Sequence, residues 1–155
     1  MNANFFMPIL FVIAIATGHV QAFPTNADDL KPKKDDATAM VGKWAITSAE
    51  LAGQALPAEV TKSMTLILEK GKYTLKSPSP DDIGTTSIDA TKTPKEIDIK
   101  GSEGPNKGRT MLAIYILEGE TMKICYDTEG KKRPTEFKTA KGTKQFLAEY
   151  MRMKE

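Results

Sequence analysis

From about residue 40 onward the chain is a succession of short β-type runs, each closed by a turn signal. No stretch of ten residues or more holds a helical period. The runs fall at 42–51, 63–69, 73–76, 85–89, 96–100, 110–118, 121–127 and 145–153. Lys70-Gly71 and Glu118-Gly119-Glu120 read as tight turns, 77–82 (SPSPDD) as a loop, and Pro57 as the opening of one helical turn. Strands in sequence without crossover helices predict an antiparallel meander, and closure into a barrel removes its exposed edges. The expected fold is therefore all-β, an eight-stranded antiparallel up-and-down barrel. A two-sheet sandwich is the rival that turn spacing alone leaves open.

Alternation along each strand assigns the faces. Trp44, Ile46 and Ser48 share one face of the first run, Met64, Leu66 and Leu68 one face of the second, and Tyr73 and Leu75 one face of the third. Met122, Ile124 and Tyr126 lie together, as do Phe146, Ala148, Tyr150 and Arg152. Two readings of these apolar faces stand side by side. In one, they simply fill the barrel. In the other, Trp44, Ile46, Leu66, Tyr73, Ile114, Ile124, Tyr126 and Tyr150 line a site for a small apolar or amphipathic ligand, with tyrosine hydroxyls to orient it. The run 110–118 is apolar on both faces, with Leu112, Ile114 and Ile116 opposite Met111, Ala113, Tyr115 and Leu117. Its outer face needs a cover: a connecting loop, part of the leader, or a second subunit in a weak homodimer.

The N-terminus reads as a targeting segment. Residues 5–17 (FFMPILFVIAIAT) are apolar but short for a bilayer span, and Val20-Gln21-Ala22 fits a signal-peptidase site. The expected organisation is a signal peptide at 1–22, a flexible polar leader at 23–39 and the barrel at 40–155, with a secreted or periplasmic location. No Lys or Arg precedes the apolar run, which keeps an uncleaved anchor as the alternative. Cleavage after Ala22 removes His19, the only histidine. Histidine-based triads and histidine metal sites are then excluded. Cys125 is the single cysteine, so it has neither a disulfide partner nor a thiolate cluster. A net charge of +2 with interspersed signs gives no case for nucleic acid, and none for stable membrane insertion after cleavage.

An ordered set of motifs carries a resemblance. Gly42-Lys43-Trp44 with Glu50-Leu51 is followed by Gly53-Gln54-Ala55-Leu56-Pro57, then by Thr93-Pro94-Lys95-Glu96-Ile97-Asp98 and Gly104-Pro105-Asn106-Lys107-Gly108. Ala113-Ile114-Tyr115, Leu117-Glu118-Gly119-Glu120-Thr121, Cys125 and Arg133-Pro134-Thr135-Glu136-Phe137 complete it. The chain resembles the lipocalin-like domain family of exported proteins typical of planctomycete bacteria. The resemblance implies a lipocalin-like barrel and brings no ligand or catalytic residues with it. It also implies an arginine packed over the Trp44 ring to close one barrel end, with Arg152 the first candidate and Arg133 the second.

Other motifs are weaker. Residues 101–110 (GSEGPNKGRT) lack phosphate-loop spacing and read as a hairpin loop. Asp89 and Asp98 on adjacent strands form a conceivable acid pair, against the plainer reading of solvated carboxylates. Cys125 reads as a packed side chain. The functional expectation is an exported, non-enzymatic binding protein for a small hydrophobic ligand, with no cofactor and no metal. The alternative is a filled barrel that serves as a structural or protein-interaction module.

Overall fold

The computed structural model describes residues 35–154. The expected signal peptide and residues 23–34 of the expected leader lie outside them. Nine strands form one sheet: β1 (Gly42–Leu51), β2 (Gln54–Ala55), β3 (Thr65–Glu69), β4 (Lys72–Lys76), β5 (Asp82–Asp89), β6 (Lys95–Glu103), β7 (Thr110–Glu118), β8 (Thr121–Asp127) and β9 (Gln145–Arg152). Every neighbouring pair is antiparallel, and β1 pairs with both β3 and β9. The result is a closed eight-stranded barrel, with β2 a short ribbon on the end of β1. Two helices, α1 (Asp36–Ala39) and α2 (Ala58–Lys62), flank β1 in sequence. Pro57 sits at the N-cap of α2, where its fixed φ suits helix entry and its missing N–H costs nothing.

Inward faces follow the sequence pattern with one correction. Trp44, Ile46, Leu66, Leu68, Tyr73, Met122, Ile124, Ala148 and Tyr150 all join the buried core. Ser48 does not. The register between β1 and β9 slips between Ile46 and Ser48, so Thr47 is an extra residue in a β-bulge. The bulge reverses the alternation: Ala49 turns inward, while Ser48 is exposed and donates to the Glu149 carboxylate at 3.1 Å.

The end of the barrel where β1 begins is shut by a knot of side chains. Trp44 and Arg152 face each other across the β1–β9 seam, and the guanidinium carbon lies 4.2 Å from the Trp44 ring centroid. Arg152 also donates to the carbonyls of Val41 (2.7 Å) and Ala39, the latter at the C-terminus of α1. The Trp44 indole N–H donates to the Met40 carbonyl at 2.9 Å. The glycine of the G-x-W pattern serves the same knot. Gly42 has φ +145°, and a Cβ there would collide with the Arg152 guanidinium. Residues 35–39, the last part of the expected leader, form α1 and its cap. There Asp36 accepts from Lys95 Nζ (2.6 Å) and from the Tyr115 hydroxyl (2.8 Å), and Met40 is buried beneath.

The connecting loop 128–144 covers the outer face of β7 and β8 around Ile114 and Cys125, while Ile116 farther along β7 stays exposed. Ile114 and Cys125, register partners on that face, are both buried. Pro134 is buried in the loop, and the Cys125 thiol points at the Lys138 carbonyl 3.7 Å away. Arg133 fixes the loop by donating to the backbone carbonyls of Ala113 and Ile97 and by pairing with Asp98 and Glu96. At the loop's far side the Thr139 hydroxyl donates to Glu50 and accepts from Gly53 N–H. Arg133 therefore packs away from Trp44, and Arg152 takes the closing position.

Arg152→Ala removes a cation–π contact and two charge-assisted bonds, and equilibrium urea unfolding is expected to show a loss of about 2–3 kcal/mol. Arg133→Ala should loosen the covering loop without opening the barrel. A thiol reagent should label native Cys125 at least about tenfold faster in that variant than in the parent chain.

Candidate functional site

The two ends of the barrel differ. The turns at 70–71, 90–94 and 119–120 and the helix α1 crowd the Trp44 end. The opposite end carries the connections 77–81, 104–109 and 128–144, together with 52–64, which holds β2 and α2. A cavity of about 60 Å³ lies toward that second end, among residues of β3 to β9. Its walls are Leu66, Leu68, Leu75 and Ile97, with Ile99, Met111 and Ile124 completing the apolar surface. Tyr73, Tyr126, Tyr150, Asp82, Thr86 and Asn106 supply the polar groups.

Asp82 organises the polar side. It begins β5, sits opposite Leu75 of β4 and is 5 % exposed. Its Oδ2 accepts from the Tyr73 hydroxyl at 3.1 Å and from Asn106 Nδ2 at 2.7 Å, and its Oδ1 accepts from the Asn106 N–H at 3.1 Å. Asn106 reaches it because the hairpin loop folds back on itself, with Gly108 N–H bonded to the Gly101 carbonyl and Arg109 N–H to the Asn106 carbonyl. Tyr73 reaches it because Gly84 lies opposite. A Cβ on Gly84 would meet the Tyr73 ring and the Lys100 carbonyl oxygen. The lining contains no lysine, arginine or histidine.

The other two tyrosines behave differently. Tyr150 is 7 % exposed and Tyr126 is half-buried with its ring 5.1 Å from that of Phe146. Neither hydroxyl has a hydrogen-bond partner among the described residues. Among the described residues no buried side-chain nitrogen or oxygen is left both sealed and unbonded, and both tyrosines line the cavity. Burial pushes the Tyr126 phenol strongly upward, and the neighbouring Tyr150, Asp82 and Tyr73 add to it. Burial does the same to Tyr150. For Tyr73, burial acts first and the Asp82 charge second. All three phenols therefore stay protonated and able to donate.

Five of the residues expected at a ligand site come together here: Leu66, Tyr73, Ile124, Tyr126 and Tyr150. Trp44 and Ile46 are core residues nearer the closed end and do not line the cavity. Ile114 is corrected outright: it points outward from β7 and is buried under loop 128–144. Sequence reasoning missed Asp82 and Asn106, which it placed in a loop and a hairpin loop. The available signal was an aspartate at a strand start two residues before a strand glycine, the space a tyrosine ring needs.

Asp89 and Asp98 do not converge. Asp89 accepts from Thr91 in its own turn, and Asp98 pairs with Arg133 outside the barrel. Among the described residues no group of three or more His, Cys, Asp or Glu side chains is gathered so that it could hold a metal ion. Among them, too, no helix is long and apolar enough to cross a membrane. No protein-family model, curated protein or solved structure matches the chain.

All four tyrosines, Tyr115 included, have phenols raised by burial. The unfolded chain ionises them near the ordinary value of 10 and the native chain does not. Stability should be fully present below about pH 10 and fall above it, where only the unfolded state gives up these protons. Absorbance at the tyrosinate band should stay flat in the native chain through about pH 10 and then rise together with unfolding. A gradual rise at constant circular dichroism would contradict the burial.

Proposed function

We propose that this chain is an exported, non-catalytic binding protein, a lipocalin-like barrel that takes up one compact amphipathic molecule at its loop-bearing end. The observation that carries the reading is the pair of tyrosines Tyr126 and Tyr150, which line a mostly apolar cavity and whose hydroxyls have no hydrogen-bond partner among the described residues. Buried polar groups are normally satisfied, and a group left open to a cavity is where a water or a ligand completes the bonding. The apolar wall supplies area, and the polar groups at one side supply orientation. The export element rests on the N-terminal sequence pattern, and the family element on the motifs from Gly42-Lys43-Trp44 to Arg133-Pro134.

Size narrows the ligand. The cavity's 60 Å³ is less than half of the roughly 150 Å³ that accommodates benzene in an engineered protein interior. A fatty acyl chain does not fit without displacing core side chains. The same small volume favours the second reading, a filled barrel whose loops or outer surface engage another protein.

The readings separate by calorimetry of thermal unfolding with a panel of small alcohols, amines and acids. A true ligand at a hundred times its Kd adds about 2.7 kcal/mol and raises Tm by several degrees. A panel without any shift, alongside a protein recovered in stoichiometric amount on the immobilised chain, would favour the interaction module.

A further inference from the structure

The polar lining of the cavity is one-sided in charge, and that selects among ligands. Asp82 is buried, accepts three hydrogen bonds and pairs with no cation among the described residues. A carboxylate offers about four acceptor positions, so one remains on Oδ1, the oxygen that receives only the Asn106 N–H. The remaining polar groups toward the cavity include the hydroxyls of Tyr126 and Tyr150, which can donate or accept.

Resting on the binding reading above, we propose that the barrel selects a compact ligand with a hydrogen-bond-donating head, a primary ammonium first and an alcohol second, and rejects carboxylates. The ligand's head takes the free acceptor position of Asp82, and the hydroxyl of Tyr150 accepts a second N–H or O–H. The small aliphatic body rests on Leu66, Ile97 and Ile124. An acid placed there sets its negative charge beside Asp82 in a site with no lysine or arginine to offset it, an arrangement that disfavours binding strongly. The loop that carries Asn106 also bears the exposed Lys107 and Arg109. Both lie outside the cavity lining and act only on an anion waiting at the rim.

The test uses the full chain and four probes: ethylamine, ethanol, acetate and palmitate. Affinity is read from NMR shifts of the Asn106 amide and the Tyr150 ring. Ethylamine is expected to bind at least about tenfold more tightly than acetate, with the alcohol between them. Asp82→Asn should erase the preference of amine over acid. Should that variant fail to fold, Tyr150→Phe serves instead. It removes a hydroxyl with no partner among the described residues, so it should weaken ethylamine about threefold to tenfold while leaving Tm unchanged or raised. Equal or tighter binding of acetate, or a Tyr150→Phe chain that binds ethylamine as before, overturns this assignment. Palmitate binding without the small amine leaves the barrel a binder and ends the selectivity proposed here. Silence from all four probes ends the binding reading itself.

Discussion

Pairing of β1 with β9 is the contact on which the other features depend. It removes both free edges of the meander, and it sets Trp44 opposite Arg152. Once those two residues are register partners, the guanidinium can lie on the indole while still reaching the carbonyls at the end of α1. Gly42 leaves room for it, Met40 fills the space beneath, and Asp36 ties the helix to β6 and β7. Seam, plug and strap thus form one cooperative unit, made largely of long-range contacts.

The opposite end is built on other terms. Its polar groups are supplied by strands and loops far apart in sequence and meet only after closure. Asp82 and Asn106 are 24 residues apart and are brought together by the β5–β6 pairing and the folded hairpin loop. Tyr73 joins them through the gap at Gly84. Tyr126 and Tyr150 come from the last two strands and complete the ring of groups around a small apolar space. Closure of the barrel and the folded hairpin loop are thus enough to bring these groups together.

The strands were legible because burial enforces alternation on one face and because Gly, Pro and Asp mark the turns. Tyr73, Tyr126 and Tyr150 were legible as inward-facing for the same reason, and Arg152 through the family resemblance. Ser48 misled because a bulge adds a residue without leaving a mark in the apolar pattern. Ile114 misled because its outer face is covered by a loop of mostly polar residues, and loop placement follows from Arg133 finding two backbone carbonyls, not from periodicity. Asp82 and Asn106 were invisible as a pair because each sits in a stretch whose composition resembles solvated turns. Their burial depends on cross-strand register, which no local pattern states.

The unequal ends have a consequence for how such a molecule can change over time. The seam and the crowded terminus close the barrel, whereas on the proposed binding reading recognition draws on Asn106 of the 104–109 connection and on Asp82 at the strand start it bonds to. Lengthening or resequencing the 104–109 connection re-aims the Asn106 amide while leaving the Trp44 end untouched. Chemical preference can therefore drift from one descendant to the next on an unaltered frame, and the same separation makes the frame a natural starting point for grafting new specificities.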